Sequence, residues 1–158
     1  MIDKVDRQLI MELQKDGRRS YVELAGLLHM SEATVRGRVR RLRDQGLLKI
    51  TAIPDLAMLG YQFVGIVGIQ VRLAELRRVL RELSRHANVC YLANVTGRYD
   101  IIGIIVTRTS REFADFIENT VSLIPGVDRT ETFVSLNVFK GEAAGLDTLG
   151  LLDGPPDA

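Results

Sequence analysis

Hydrophobic residues in the first fifty positions recur at helical spacing in three stretches separated by polar turns. The first stretch has its apolar residues on one helical face: Val5, Leu9, Ile10 and Leu13. Asp3 or Asp6 can cap its start, and we expect Gly17 to end it in the left-handed conformation. A capping-box pattern, Ser20 followed by Glu23, begins the second helix. The pattern therefore predicts two short helices before residue 30.

A third helix is predicted from an N-cap at Ser31 to about Asp44. Its apolar residues Val35, Val39 and Leu42 fall within about 60° of one another at about 100° per residue, so they form one narrow buried stripe. The major groove of DNA admits such a helix, and arginine can bind guanine edges or phosphates. We expect DNA contacts from the exposed residues of this helix and its cap: Ser31, Ala33, Thr34, Arg36, Gly37, Arg38, Arg40 and Arg41.

The segment that follows the third helix changes character. Gly46 is expected to stop the helix, and residues 47–53 are rich in apolar and β-branched types, which predicts a short strand. Pro54 ends that strand, and 54–60 is the expected linker. The order of three helices and a strand indicates a winged helix-turn-helix over residues 1–53.

The remainder of the chain predicts strand-helix-strand twice, over a domain at 61–140. Strands are predicted from apolar or alternating runs: 62–73, 89–95, 99–106 and 134–138. Helices are predicted over 76–83 and from a cap at Ser110 to Ile124. The order βαββαβ is that of a ferredoxin-like domain, with two helices on one face of an antiparallel sheet, so the fold class is α+β. The third strand is apolar on both sides, and we therefore expect a second copy to cover the other face as a homodimer.

Charge divides the chain between these two regions, although 21 Lys plus Arg and 20 Asp plus Glu give a net charge of only +1. Residues 1–50 hold 11 basic and 7 acidic side chains, whereas residues 51–158 hold 10 and 13. This asymmetry favours nucleic-acid binding by the first region, although a solvated arginine-rich helix would have the same composition.

The overall composition is that of a globular protein, with 46% hydrophobic and 26% charged residues. No apolar run approaches the ~20 residues of a membrane span, and the start has no signal-peptide pattern. Cys90, the only cysteine, excludes an internal disulfide and a cysteine-based zinc site, and we expect it to be buried. We expect a cytoplasmic, nucleoid-associated protein without cofactor or metal, and a loosely ordered tail over 141–158.

Ordered motifs run through the first fifty residues. In chain order they are Asp3-x-x-Asp6-Arg7-x-Leu9-Ile10, Leu13-Gln14-x-Asp16-Gly17-Arg18, Glu23-Leu24-Ala25, Ser31-x-x-Thr34-Val35-x-x-Arg38-Val39-x-x-Leu42 and Gly46-Leu47-Leu48-Lys49. Together they resemble the DNA-binding domain of the Lrp/AsnC (feast/famine) transcriptional regulators. The βαββαβ body is similar to that family's C-terminal RAM domain, so the resemblance covers about residues 3–139. One departure is that Ile50-Thr51 follows Lys49 directly, where the family often has a Gly-aromatic pair, which leaves the wing's DNA contact open.

The resemblance implies a sequence-specific DNA-binding regulator whose DNA occupancy and oligomeric state respond to an amino acid or related small molecule. It also implies homodimers that assemble further, with an octamer as the expected size. The family's Gly-x-x-Asp motif lines an effector pocket between neighbouring dimers, and here it corresponds to Gly97-Arg98-Tyr99-Asp100. Thr130 and Thr132 are weaker candidates. Two alternatives stay open: these residues only build a hairpin, or the protein is an architectural DNA-binding protein without an effector.

Three other classes of protein fit the sequence less well. An enzyme would need a nucleophile-base pair, a metal cluster or a phosphate loop, and none is recognisable. RNA binding by the sheet would need aromatic residues on its central strands, whereas 100–105 has none. The arginine-rich third helix argues against a ligand sensor that does not bind DNA.

Overall fold

The computed structural model describes residues 2–138 together with Leu146 and Leu151. The chain divides into two compact units, an N-terminal unit of Met1–Ala52 and a C-terminal unit of Ile53–Ala158. Among the described residues, no helix is both long enough and apolar enough to cross a membrane.

The N-terminal unit consists of three helices, α1 (Lys4–Lys15), α2 (Tyr21–Leu28) and α3 (Glu32–Asp44). The side chains of Asp3, Ser20 and Ser31 cap them by accepting a hydrogen bond from the first turn, as their sequence patterns predict. One core joins the helices, and its buried members are Leu9, Leu13, Leu24, Ala25, Val35 and Val39. The buried stripe of α3 therefore holds that helix against the other two and leaves its opposite side exposed.

Two local predictions in this unit are wrong. Gly17 does not adopt a positive φ, because α1 ends at an extended Asp16 whose side chain accepts a hydrogen bond from the Arg18 amide at 2.9 Å. Residues 47–53 do not form a strand. The amides of Leu47 and Leu48 donate to the Leu42 carbonyl instead, and the described N-terminal unit has no strand with which this segment can pair.

The C-terminal unit is an antiparallel sheet with two helices, in the predicted βαββαβ order. The strands are β1 (Phe63–Val71), β2 (Val89–Asn94), β3 (Ile101–Thr107) and β4 (Val127–Val134), arranged β2-β3-β1-β4. The helices are α4 (Leu76–Leu83) and α5 (Ser110–Asn119), accompanied by short 3₁₀ turns at Leu73–Glu75 and Val121–Leu123.

The helices pack on one face of this sheet, which we call the helix face. Its centre is formed by Val67 and Ile69 of β1 with Ile101 and Ile105 of β3, all at most 1% exposed. Gly65 lets the helices approach closely, since a Cβ atom there would lie 2.3 Å from the Phe113 ring. This face is the main core of the unit.

The opposite face, which we call the second face, is also apolar. Val64 and Ile66 of β1 lie opposite Val106 and Ile104 of β3. At one end a second cluster includes Cys90, which is 2% exposed as predicted. Its other members include Leu56, Tyr61, Leu146 and Leu151.

Two element boundaries differ from those predicted. The last strand is Val127–Val134, not 134–138, because β4 is an edge strand with charged residues and therefore shows a weak apolar alternation. Thr109, not Ser110, caps α5, and the helix ends at Asn119. Leu146 and Leu151 of the expected loose tail are packed, and the other residues of 141–158 lie outside the described part of the chain.

Candidate nucleic-acid interface and ligand site

The exposed side of α3 carries the residues predicted to contact DNA. Ser31, Ala33, Thr34, Arg36, Gly37, Arg40 and Arg41 are exposed, and Arg38 is partly buried. At the start of the helix, Ser31 Oγ accepts from the Thr34 amide at 3.1 Å and shares a 2.7 Å hydrogen bond with Thr34 Oγ1. The structure therefore brings the predicted residues onto one element, and it gives the Ser31 hydroxyl a capping role.

Small residues occupy the middle of this surface. A Cβ atom built on Gly37 would meet nothing within 4 Å, and Ala33 lies one turn before it. Longer side chains on either side would flank a ligand that approaches the helix backbone here.

One side of α3 borders a basic groove of about 610 Å³. Tyr21 lines it, and the Arg36 guanidinium lies over the Tyr21 ring, 5.1 Å from its centroid, and pairs with Glu32. Its other lining residues are Arg40, Arg43, Asp44, Leu48, Lys49 and Ile50. Four cationic side chains thus line one concave surface, which suits the phosphate backbone of DNA.

The opposite side of α3 is tied to α1 by carboxylates. Arg38 Nη1 lies 2.6 Å from Asp3 Oδ2 and 2.8 Å from Asp6 Oδ1, and Arg41 Nη2 lies 2.5 Å from Asp6 Oδ2. Asp6 is completely buried. The arginines of α3 therefore form two sets, one facing the groove and one paired with α1.

Hydrogen bonding sets the charge state of this cluster. The Asp6 amide and then Arg38 lower the pKa of Asp3 below its ordinary value of 3.8. Burial alone would raise the pKa of Asp6, but the hydrogen bonds from Arg38 and the Asp3 amide, with the charge of Arg41, outweigh it and lower that pKa. Both aspartates are therefore carboxylates at neutral pH.

Sequence reasoning missed three participants in this interface. Tyr21, Arg43 and Lys49 line the groove, and none of them was among the residues predicted to contact DNA. Lys49 lies in the segment predicted as a strand, where nothing in the pattern placed its side chain next to α3. For Asp6, the sequence predicted only a possible role as a helix cap and not its pairing with Arg38 and Arg41.

In the C-terminal unit, the predicted ligand motif forms the tip of the β2-β3 hairpin. Gly97 has a φ of 125°, which favours glycine, and its surroundings are open. Asp100 Oδ2 accepts from the Val71 amide at 2.9 Å, and its own amide donates to the Ile69 carbonyl at 3.0 Å. The Asp100 carboxylate therefore already has a partner in β1.

Tyr99 and Arg98 converge on a residue that the sequence did not single out, Glu131 of β4. The Tyr99 hydroxyl donates to the Glu131 carboxylate, and Arg98 Nη2 lies 3.0 Å from Glu131 Oε2. The hydrogen bond to Glu131 raises the pKa of Tyr99, and burial raises that pKa further. Gly68 makes room for the ring, because a Cβ atom there would lie 2.7 Å from it.

The two threonine candidates lie apart from this cluster. Thr130 and Thr132 are opposite Ile69 and Val67 in the β1-β4 pairing, so they lie on the helix face. Glu131 is opposite Gly68 and lies on the second face. The structure therefore brings Arg98, Tyr99 and Glu131 together and separates them from both threonines.

Within the described residues, no group of three or more His, Cys, Asp and Glu side chains is placed to hold a metal ion.

Family models match both units of the chain. The model of the AsnC-type helix-turn-helix domain matches residues 2–43, and that of the Lrp/AsnC ligand binding domain matches residues 64–144. The first therefore covers α1 to α3 up to Arg43, and the second covers all four strands of the sheet except Phe63.

Proteins similar over nearly the full chain are regulators. The HTH-type transcriptional regulator FL11 of Pyrococcus horikoshii is 31% identical over 140 residues, which are 88% of this chain and 92% of that protein. An uncharacterized HTH-type transcriptional regulator of Pyrococcus furiosus is 33% identical over 141 residues, 89% of this chain and 95% of its own.

Solved structures share the fold of this chain. E. coli AsnC superposes with a TM-score of 0.84 at 25% identity, covering 90% of this chain and 97% of its own. The transcriptional regulator NMB0573 of Neisseria meningitidis, solved as a complex with L-Met, has a TM-score of 0.84 at 21% identity and covers 90% of this chain and 94% of its own. At 21% identity, the likeness to the Neisseria protein shows only that the two chains share a fold.

Proposed function

The chain belongs to the Lrp/AsnC family of helix-turn-helix transcriptional regulators. On that premise we propose a separate function for each of its two units. The protein is a DNA-binding regulator with a ligand-binding domain, and it is not an enzyme. The N-terminal unit reads DNA through α3, and the C-terminal unit joins copies of the chain and takes a small zwitterionic effector.

The observation that carries the DNA-reading role is the two-sided character of α3. Val35, Val39 and Leu42 are completely buried, while a strip of small and basic residues is exposed on the other side. The small middle of the strip lets the helix enter the major groove, and Arg40 is long enough to contact a base edge. Arg36, Arg43 and Lys49 line the groove beside α3 and hold the phosphate backbone.

The second face of the sheet supports the proposed homodimer. Ile66, Tyr91 and Phe133 on this face are 38%, 43% and 47% exposed. A second copy would cover these side chains, and its own second face offers the same apolar surface. Dimers that present two N-terminal units can bind two half-sites, and assembly towards an octamer adds avidity. Light scattering of the purified protein tests the assembly.

An amino acid is the effector class that suits the hairpin cluster. The Arg98–Glu131 pair offers one cation for an α-carboxylate and one carboxylate for an α-ammonium group, so a zwitterion can replace each partner of the pair at once. The exposed loop at Gly97 adds backbone amides. The Asp100 carboxylate supports the loop through Val71, and it keeps a second oxygen for the effector. The Neisseria protein that was solved with L-Met makes that amino acid the first to test.

Genomic DNA captured by the purified protein tests both roles. The protein is mixed with fragmented genomic DNA, with and without a panel of amino acids, and the bound fragments are sequenced. We expect a set of enriched sites that share a motif, and one amino acid that changes their occupancy. Failure to enrich any site would contradict the DNA-reading role. Enriched sites that respond to no amino acid would favour the alternative, an architectural DNA-binding protein without an effector.

The effector site has a sharper test in Glu131→Gln. This change removes the charge that would hold the α-ammonium group and leaves the shape, so we expect the amino-acid response to be lost while DNA binding without effector is unchanged. Asp100→Ala is expected to abolish the response as well. Glu118→Gln, at an exposed position of α5, is the matched control and should keep the response. A full response in Glu131→Gln would remove Glu131 from the site.

A regulator that binds genomic DNA acts on the nucleoid, and we therefore place the protein in the cytoplasm.

A further inference from the structure

Asp6 is the only charged side chain in the described part of the chain that is completely buried. It belongs to the first turn of α1, but its carboxylate faces α3. Oδ1 accepts from Arg38 at 2.8 Å, and Oδ2 accepts from Arg41 at 2.5 Å and from the Asp3 amide at 3.1 Å. A carboxylate withdrawn from water is costly unless it is fully paired, so Asp6 depends on these donors.

The same bonds restrict the two arginines. The side chain of Arg38 is 25% exposed and that of Arg41 is 44% exposed, whereas that of Arg40 is 82% exposed. An unrestrained guanidinium attracts any phosphate within reach, which strengthens binding to every DNA sequence. A guanidinium that is fixed relative to α3 can meet a phosphate in only one alignment of helix and groove.

We propose that Asp6 is a positioning residue for DNA specificity: it fixes Arg38 and Arg41 beside α3, so that they favour the correctly aligned complex over binding at random sequence. Arg38 and Arg41 thereby raise the ratio of the affinity for the specific site to the affinity for random sequence. Asp6 itself does not touch DNA. This role goes beyond the DNA-reading function of α3, because it assigns part of the discrimination to a buried residue of α1.

The test variant is Asp6→Asn in the full chain. Both carboxylate oxygens accept hydrogen bonds from arginine, so either orientation of the amide turns an NH2 group towards one of the two guanidiniums. The matched control is Asp16→Asn. Asp16 is exposed at the end of α1, pairs with Arg18 and with no arginine of α3, and its replacement changes the charge of the N-terminal unit by the same amount.

Each variant is titrated against a duplex that the wild-type protein captures from genomic DNA and against a random duplex of equal length, over a series of salt concentrations. For Asp6→Asn we expect the ratio of the two affinities to fall roughly tenfold, the scale of one lost base-pair discrimination. On the random duplex, the slope of log affinity against log salt should steepen by about 0.9 for each arginine that gains a phosphate. Asp16→Asn should leave that ratio unchanged, since the electrostatic effect of one lost negative charge acts on both duplexes alike.

The proposal is overturned if Asp6→Asn keeps both the ratio and the slope of the wild type, or if Asp16→Asn shifts the ratio equally. Circular dichroism first checks that the variant is folded. Should it fail to fold, Arg38→Gln and Arg41→Gln decide. They should lower affinity for the captured duplex without changing the slope on the random duplex, whereas Arg43→Gln should make that slope shallower by about 0.9. An equally shallower slope for the variants Arg38→Gln, Arg41→Gln and Arg43→Gln would overturn the proposal. A wild-type protein that captures no site from genomic DNA would instead contradict the DNA-reading role of α3.

Discussion

The two units place their charged groups differently with respect to their secondary structure. In the N-terminal unit, five arginines lie on one helix, and the apolar stripe of that helix holds it in place. In the C-terminal unit, the Arg98–Glu131 pair joins a hairpin to an edge strand more than thirty positions away in the chain. A surface on one helix follows from the helix itself, whereas a site between strands exists only when the sheet is paired in the right register.

This difference predicts which changes damage each function. The DNA surface should tolerate changes in the sheet, and the hairpin cluster should tolerate changes in α3. The following variants test the separation, beginning with the largest expected effect.

Leu9→Ala should destabilise the N-terminal unit by about 2–5 kcal/mol, because Leu9 is completely buried among all three helices and its removal leaves a cavity. Urea unfolding followed by circular dichroism measures the loss. Met11→Ala on the same helix is the control, since Met11 is 56% exposed. Equal unfolding midpoints for the two variants would contradict the core described for this unit.

Gly68→Ala should destabilise the C-terminal unit by about 1–3 kcal/mol, the usual cost of an added methyl group in a packed site. The new Cβ atom would lie 2.7 Å from the Tyr99 ring, which must move and weaken its bond to Glu131. We therefore expect a weaker amino-acid response as well. Gly26→Ala, which meets nothing within 4 Å in α2, is the control. An unchanged response would separate Tyr99 from the effector site.

Thr109→Ala should cost about 1 kcal/mol of stability, because the Thr109 hydroxyl accepts from the Glu112 amide at 3.1 Å and caps α5. Ser110→Ala, at the position that the sequence pattern favoured, should change stability much less. Thermal unfolding of the two variants distinguishes them, and a larger loss for Ser110→Ala would place the cap one residue later.

Gly37→Ala should raise the stability of the N-terminal unit by up to about 1 kcal/mol, since alanine is the better helix former and the added methyl group meets nothing. The same methyl group should weaken binding to the captured duplex if the α3 backbone approaches DNA closely. Stability and affinity are measured on one preparation. A variant that is more stable and binds as tightly as the wild type would show that Gly37 is only an exposed position.

The sequence predicted most of the fold because most of its elements carry their own pattern. The helical spacing of Val35, Val39 and Leu42 was sufficient to identify the exposed side of α3. The strand prediction for 47–53 was wrong because β-branched residues favour a strand only where another strand is available to pair. The prediction placed the last strand at 134–138 because Val134, Leu136 and Val138 alternate there. The true strand, β4, is an edge strand whose charged residues leave no such apolar alternation.

The candidate sites were predictable to different extents for the same reason. The exposed positions of α3 follow from one period, but its pairing with Asp6 depends on how α1 packs. The cluster of Arg98, Tyr99 and Glu131 depends on the β1-β4 register, which puts Glu131 on the second face and its neighbours Thr130 and Thr132 on the helix face. A shift of one residue would exchange them, and no local pattern determines that register.

The assignment of DNA reading to α3 is tested by the affinities of Arg40→Ala for the captured and the random duplex. Arg77→Ala, which removes an exposed arginine from α4, is the matched control. We predict that Arg40→Ala weakens binding to the captured duplex by about 1–3 kcal/mol and to the random duplex much less, while Arg77→Ala changes neither. Equal weakening on both duplexes would make Arg40 a phosphate contact, and an Arg40→Ala variant that binds the captured duplex like the wild type would contradict the assignment.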